Sequence, residues 1–492
     1  MVSRQKGGKA FVTLGDGDTG SSFAGSVNYD GLNWSSYDGL TLGNVTTLSS
    51  GTVSLNSNGG AIAFSNTVDG TQSLTLIAGS GSISFDASVG DTDPLSSLQI
   101  TSAANVTFAG TVDANALTQL AGTGTTTFSD TVILSGGLNL TGNRFSIAGR
   151  VETGGAIAVT NSGALTTTFD GSLVSADSFV QAGTGSSSIG ANITTSGDLS
   201  FASAVTLTAD VALNSNNAGS ILFGGTLDGA FDLTLTAGVE NISFQGAVGA
   251  SSKLADISIV SANDVTVSSS LKATTFTQTA GTGTTLFSGA TTLDGALDYT
   301  GNNLTVNAAF TSGAAITVNN TGTFSTGTSG DIVLVGNFAQ TGIGESSLGG
   351  DIATGDGTTS ASSISFATAI TLTADVTLST NSGSNNGDIT VSSSVTGLLS
   401  KLSLAAGTGN IQFDSAIDSV SLAGLLVSSS AQLTINSALT VDGQGLDVTA
   451  GTVNFNNTVT SLNSGTIEIT NSGVLTVPAG STLTLDGAFL QD

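Results

Sequence analysis

Leu74-Thr-Leu-Ile-Ala-Gly-Ser-Gly-Ser-Ile-Ser-Phe85 decides the fold. Apolar and small polar residues alternate on both sides of a glycine-containing turn. A period of two marks a strand with one buried face. The stretch returns as Leu233-Thr-Leu-Thr-Ala-Gly-Val-Glu-Asn-Ile-Ser-Phe244 and again as Leu402-Ser-Leu-Ala-Ala-Gly-Thr-Gly-Asn-Ile-Gln-Phe413.

Working outward, the flanking sequence repeats as well. Phe85 and Phe244 lie 159 residues apart, as do Ala121-Gly-Thr-Gly-Thr-Thr-Thr-Phe128 and Ala280-Gly-Thr-Gly-Thr-Thr-Leu-Phe287, and Phe179-Val-Gln181 and Phe338-Ala-Gln340. In the third copy the offsets grow to 165 (Phe201 to Phe366) and 169 (Phe244 to Phe413), through insertions near 353–363 and 380–387. Insertion in small polar turns with the strands kept intact is what a solenoid tolerates.

A shorter period lies inside the long one. Phe64, Phe85, Phe108 and Phe128 are spaced 21, 23 and 20, so the 159-residue repeat reads as about seven units of roughly 22 residues. A unit that small cannot bury its own apolar face, and it is also too small to be a β-sandwich. Stacking the units gives a parallel β-helix in which Phe lies over Phe and backbone groups pair between coils. With rungs about 4.8 Å apart, roughly 20 coils would make a rod on the order of 100 Å long. Two prolines in 492 residues suit unbroken ladders. Ser82, Asn241 and Asn410 are expected at left-handed turn positions, and interior Asn or Thr ladders are expected in the core.

Three regions follow. Residues 1–9 read as a flexible lead-in. Residues 10–44 read as atypical first coils or a cap, holding the single Trp (Trp34) and two of the three Tyr (Tyr29 and Tyr37). Residues 45–492 read as one continuous β-helix. The closing Gly487-Ala-Phe-Leu-Gln-Asp492 is similar to Gly336-Asn-Phe-Ala-Gln-Thr341, so the sequence stops as a further copy begins, and the natural protein is expected to continue.

Phe338-Ala-Gln-Thr-Gly342, Ile364-Ser-Phe-Ala-Thr-Ala-Ile-Thr-Leu372 and Ala406-Gly-Thr-Gly-Asn-Ile-Gln-Phe413 carry a resemblance. The pattern over about 45–492 resembles the Gly/Thr/Ser/Asn-rich repeats of large bacterial surface proteins, the filamentous-haemagglutinin-like adhesins and autotransporter passenger domains. The resemblance implies a right-handed parallel β-helix, extracellular display at the cell surface, and a role in adhesion or fibre building. Its partners would be further copies of itself or glycans and proteins of other cells.

Composition narrows the chemistry. Eight basic residues stand against 35 acidic ones, for a formal charge of −27. Such a surface repels nucleic acid and anionic lipid. With no Cys and no His, disulfides and thiolate or imidazole metal sites are excluded. No run approaches the roughly 18 apolar residues of a membrane helix.

Individual motifs are weak. Gly15-Asp-Gly-Asp-Thr-Gly20 has dinucleotide-fingerprint spacing but no helix after it. Calcium is the one plausible metal, at the close carboxylate pairs Asp16/Asp18 and Asp91/Asp93, although neither pair belongs to a complete calcium loop. Tyr29, Trp34 and Tyr37 could form an aromatic sugar platform. Polysaccharide lyases and hydrolases use β-helices with clustered carboxylates, and Arg144, Arg150 and Glu152 are the nearest approach to a cluster, read here as a surface ion pair. Short Thr rows such as Thr123/Thr125/Thr127 raise ice binding, but Thr holds no constant spacing from coil to coil. The expected role is therefore non-catalytic: a structural repeat region of a fibre or adhesin stalk, with a β-helix enzyme or a glycan-binding module as alternatives.

Overall fold

Parallel pairing joins each strand to the strand about one coil further along the chain. The computed structural model describes the backbone of 11–13, 21–23, 27–30 and 33–35. From residue 39 on it describes every residue except 44, 169–171, 176, 217, 356–360, 385, 398 and 418–421. No helix occurs among the described residues. The chain divides into two units, residues 1–246 and 247–492. Each is a stack of three-faced coils, the parallel β-helix read from the alternation. The lead-in at 1–9 lies outside the described residues.

In the first unit the three faces are ladders of short strands. One contains Leu117–Gln119, Leu138–Gly142, Ile157–Asn161, Phe179–Gln181 and Leu199–Phe201. The second contains Ile62–Phe64, Ile83–Phe85, Val106–Phe108 and Thr125–Phe128. The third contains Val112–Ala114, Val132–Leu134, Val151–Thr153 and Leu173–Ser175. Each three-residue strand is buried, part-exposed, buried in turn, because its first and third side chains share the inner face of the pleat.

The second face shows how the core is built. Phe64, Phe85, Phe108 and Phe128 are at most 1% exposed. Successive ring centroids stand 4.8, 4.9 and 4.9 Å apart, with planes within 6° of parallel. Isolated aromatic pairs prefer an offset or edge contact. Here the strand spacing fixes the rings and stacks them in a column. Full burial of each ring contributes roughly 2–3 kcal/mol as an upper estimate.

The Phe column does not run the length of its face. Beyond Phe128 the register partners are Ile147 and then Thr167. Phenylalanines resume on the first face, where Phe201, Phe223 and Phe244 stack at 5.7 and 5.3 Å. Strand counting gives the reason. From Ile62–Phe64 to Ile221–Phe223, its equivalent 159 residues on, the chain advances 22 strands. With three strands per coil, 22 strands are seven coils and one further face. The same step occurs in the second unit: Thr284–Phe287 and Thr452–Phe455, again 22 strands apart, belong to different faces. The long repeat is therefore seven and a third coils, not seven, and each copy is turned by one face relative to the last.

The turn expectations need a second correction. Positive φ falls at Asn58 (49°) and Asn216 (52°), and Ser82, Asn241 and Asn410 are not among the positive-φ residues. Asn and Asp at the turns have another job, accepting a backbone N–H from the next coil. Asn105 Oδ1 takes the Thr125 N–H at 2.8 Å, and Asp264 and Asn303 do the same for Thr284 and Thr323.

Candidate functional site

Polar side chains turned inward form the most elaborate sites in the molecule. Asn161 and Gln181 end strands of adjacent coils and are at most 1% exposed. Gln181 Nε2 donates to Asn161 Oδ1 (2.7 Å) and to the carbonyls of Gly183 and Gly185 (3.0 and 3.2 Å). Its Oε1 accepts the N–H groups of Ala202 and Ser203, one coil further on (3.1 and 3.2 Å). One carboxamide thus joins three coils, with both ends satisfied, as a buried amide requires.

The second copy reproduces the arrangement. Gln340 Nε2 donates to Asn320 Oδ1, Gly342 O and Gly344 O (2.8, 2.9 and 3.0 Å), and Oε1 accepts from Ala367 N and Thr368 N. The close glycines are obligatory: a Cβ at Gly185 or Gly344 would stand 1.6 Å from the carbonyl oxygen of Gly163 or Gly322. A simpler pair recurs at Gln119 and Gln278, whose Oε1 atoms accept from Thr126 and Thr285 Oγ1 (2.8 and 2.7 Å). Interior Asn and Thr were expected; the glutamines were not. Their signal was Gln at the third, inward position of an alternating strand, as in Phe179-Val-Gln181 and Phe338-Ala-Gln340.

The calcium candidates do not assemble. Asp16 and Asp18 lie outside the described residues. Asp91 and Asp93 are exposed, in a turn fastened by Thr92 N–H to Asp69 Oδ1 (2.9 Å) and Gly70 N–H to the Asp93 carbonyl (3.0 Å). Among the described residues no three His, Cys, Asp or Glu side chains converge on a metal position.

Of the aromatic trio, Tyr37 is outside the described residues. Tyr29 lies in the strand Val27–Asp30, in register with Leu48. Trp34 lies in Asn33–Ser35, in register with Val12 on one side and Leu55 on the other. The three therefore belong to different segments of the coil, and the two described strands stand on different faces.

The basic cluster resolves into an ion pair between Arg150 and Glu152 at side-chain exposures of 54% and 37%, so screening leaves it little energetic weight. Lys253 pairs with Asp294 in the same way. Glu152 also borders a surface hollow of about 480 Å³, between Ile133 and Val174 in register. It is the single carboxylate in that lining, so the hollow holds no acid–base pair of the kind glycoside cleavage uses.

One surface reading is corrected. Ser84, Thr107, Thr127, Ser146, Thr166, Ser188 and Thr206 are successive register partners, an unbroken hydroxyl column on one face of the first unit. Constant spacing failed to reveal it because the coils between them differ in length.

Comparison with known proteins gives no match: no family model, no curated protein and no solved structure matches this chain.

Proposed function

We propose that this chain is a structural repeat region of a bacterial extracellular fibre or adhesin stalk. In this role the stacked coils carry load and hold a surface-exposed module away from the cell. One observation carries the reading: in each unit the faces are ladders of parallel pairs, locked at intervals by buried carboxamides that each join three coils. Force along the stack then loads many hydrogen bonds together. The formal charge of −27 keeps the surface soluble and turns away nucleic acid.

The test pairs limited proteolysis with single-molecule pulling. The structural role expects resistance to thermolysin for hours and unfolding in cooperative steps of several coils at high force. Turnover of a soluble polysaccharide, abolished by Glu152→Gln, would replace it with the enzymatic reading. Binding on a glycan array, lost in Trp34→Ala, would replace it with a glycan-binding module.

A further inference from the structure

The geometry points to a head-to-tail contact between copies of this chain, in which the first coil of one stacks on the last coil of another. In this contact Ser21–Phe23 of the incoming copy pairs in parallel with Phe489–Gln491. The proposal deepens the structural reading above and rests on it.

The last coil carries the third copy of the carboxamide lock. Gln491 Nε2 donates to Asn471 Oδ1 (3.1 Å), and Asn471 Nδ2 donates to Gly473 O (2.8 Å). Asn161 and Asn320 donate to Gly163 and Gly322 in the same way (2.6 and 2.7 Å). In the two earlier copies the lock is completed by the coil stacked above. That coil's strand sets Phe201 opposite Gln181, or Phe366 opposite Gln340, and the two following N–H groups reach the carboxamide oxygen. Phe489–Gln491 has one paired edge, toward Ile467–Asn471, and Leu490 beside it is 50% exposed.

The first coil supplies the missing sequence. Phe23-Ala-Gly-Ser-Val27 repeats Phe201-Ala-Ser-Ala-Val205 and Phe366-Ala-Thr-Ala-Ile370, the segments that complete the earlier locks. The strand before it, Ser21–Phe23, pairs with Leu40–Leu42 on one edge only. The next strand starts at Val27, four residues after Phe23, as Val205–Leu207 starts four after Phe201. Three strands begin the chain and three end it, all of one polarity, so stacking continues every face without inverting a strand. Such a contact is heterologous and extends into a filament rather than closing. Two chains of formal charge −27 repel, so the contact strengthens as salt screens them.

The chain has no cysteine, so engineered pairs report the register cleanly. By analogy with Val180 opposite Ser200, the proposal sets Leu490 opposite Ser22, about 4.8 Å apart and within disulfide reach. The full-length chain carrying Ser22→Cys and Leu490→Cys, oxidised at 0.5 M salt, should give a ladder of covalent multimers that reductant collapses. The pair Val12→Cys and Leu490→Cys, which puts the first cysteine on another face, should give none. In sedimentation velocity the unmodified chain should form concentration-dependent oligomers, and Gln491→Leu should weaken them at least tenfold, with circular dichroism unchanged. A chain that stays monomeric, or a Val12 ladder as strong as the Ser22 ladder, overturns the contact. Protease resistance in such a monomer leaves the structural role standing, whereas polysaccharide turnover by a chain that does assemble overturns that role and leaves the contact.

Discussion

Gln340 Nε2 donates to Asn320 Oδ1 over 2.8 Å, across the step from one coil to the coil below. Removing either partner leaves the other buried and unpaired. Gln340→Leu would strand the Asn320 oxygen and the Gly342 and Gly344 carbonyls together. A loss of about 2–4 kcal/mol is expected in urea unfolding. Combining Gln340→Leu with Asn320→Leu should cost less than the sum of the two single changes, because no orphaned partner remains.

The phenylalanine column makes a different prediction. Phe85 lies between Phe64 and Phe108 at 4.8 and 4.9 Å, and nothing flexible stands beside it to fill a gap. Phe85→Ala should cost about 3–5 kcal/mol, and Phe85→Leu distinctly less. Hydrogen exchange is the sharper readout. Protection should fall most at Ile62–Phe64 and Val106–Phe108, which pair with the strand that loses the ring.

Ser187 offers a gain. Its hydroxyl is buried and lacks a hydrogen-bond partner, and so does that of Ser346, 159 residues on. The register neighbours of Ser187 are Leu165 and Val205, which offer no polar atom from their side chains. Ser187→Ala removes a desolvated group and almost no volume, so it should raise stability by about 0.5–1 kcal/mol. A drop in the urea midpoint would mean that the hydroxyl has a partner after all.

These predictions draw on two kinds of residue that the sequence revealed unequally. Phe64, Phe85 and Phe108 were legible because each ends an alternating strand, and burial makes any polar substitute at such a site costly. The rotation of the repeat was not legible: residue spacing counts along the chain, whereas a face is set by the number of strands, and turns of varied length separate the two. Gln181 and Gln340 were missed because an amide reads as solvent-facing until its partners, Gly183, Gly185 and Ala202 among them, are brought beside it by the coil closing. Of the proposed ligands, Asp91 and Asp93 illustrate the reverse error. Closeness in sequence put two carboxylates together, but the turn spends its hydrogen bonds on Asp69 and Gly70 instead.

Tyr299 gives the pH test. It is 2% exposed, its Oη donates to the Asn303 carbonyl at 2.8 Å, and burial pushes the phenol up to about 12, with the hydrogen bond to Thr285 pulling weakly the other way. In the unfolded chain a tyrosine ionises near 10. The folded value is the higher one, so the unfolded state loses its proton first as pH rises. Tyr299 therefore contributes its full stability below about pH 10 and progressively less between about 10 and 12. Tyr299→Phe should cost about 1 kcal/mol at pH 7, where the hydrogen bond to Asn303 is lost. Above pH 10 the cost should shrink and then reverse, because phenylalanine has no proton to lose. Parallel urea titrations of the two proteins at pH 7, 9, 10 and 11 measure the difference. A gap that stayed constant across that range would show that the phenol ionises equally in both states, and that Tyr299 is not held in the core as described.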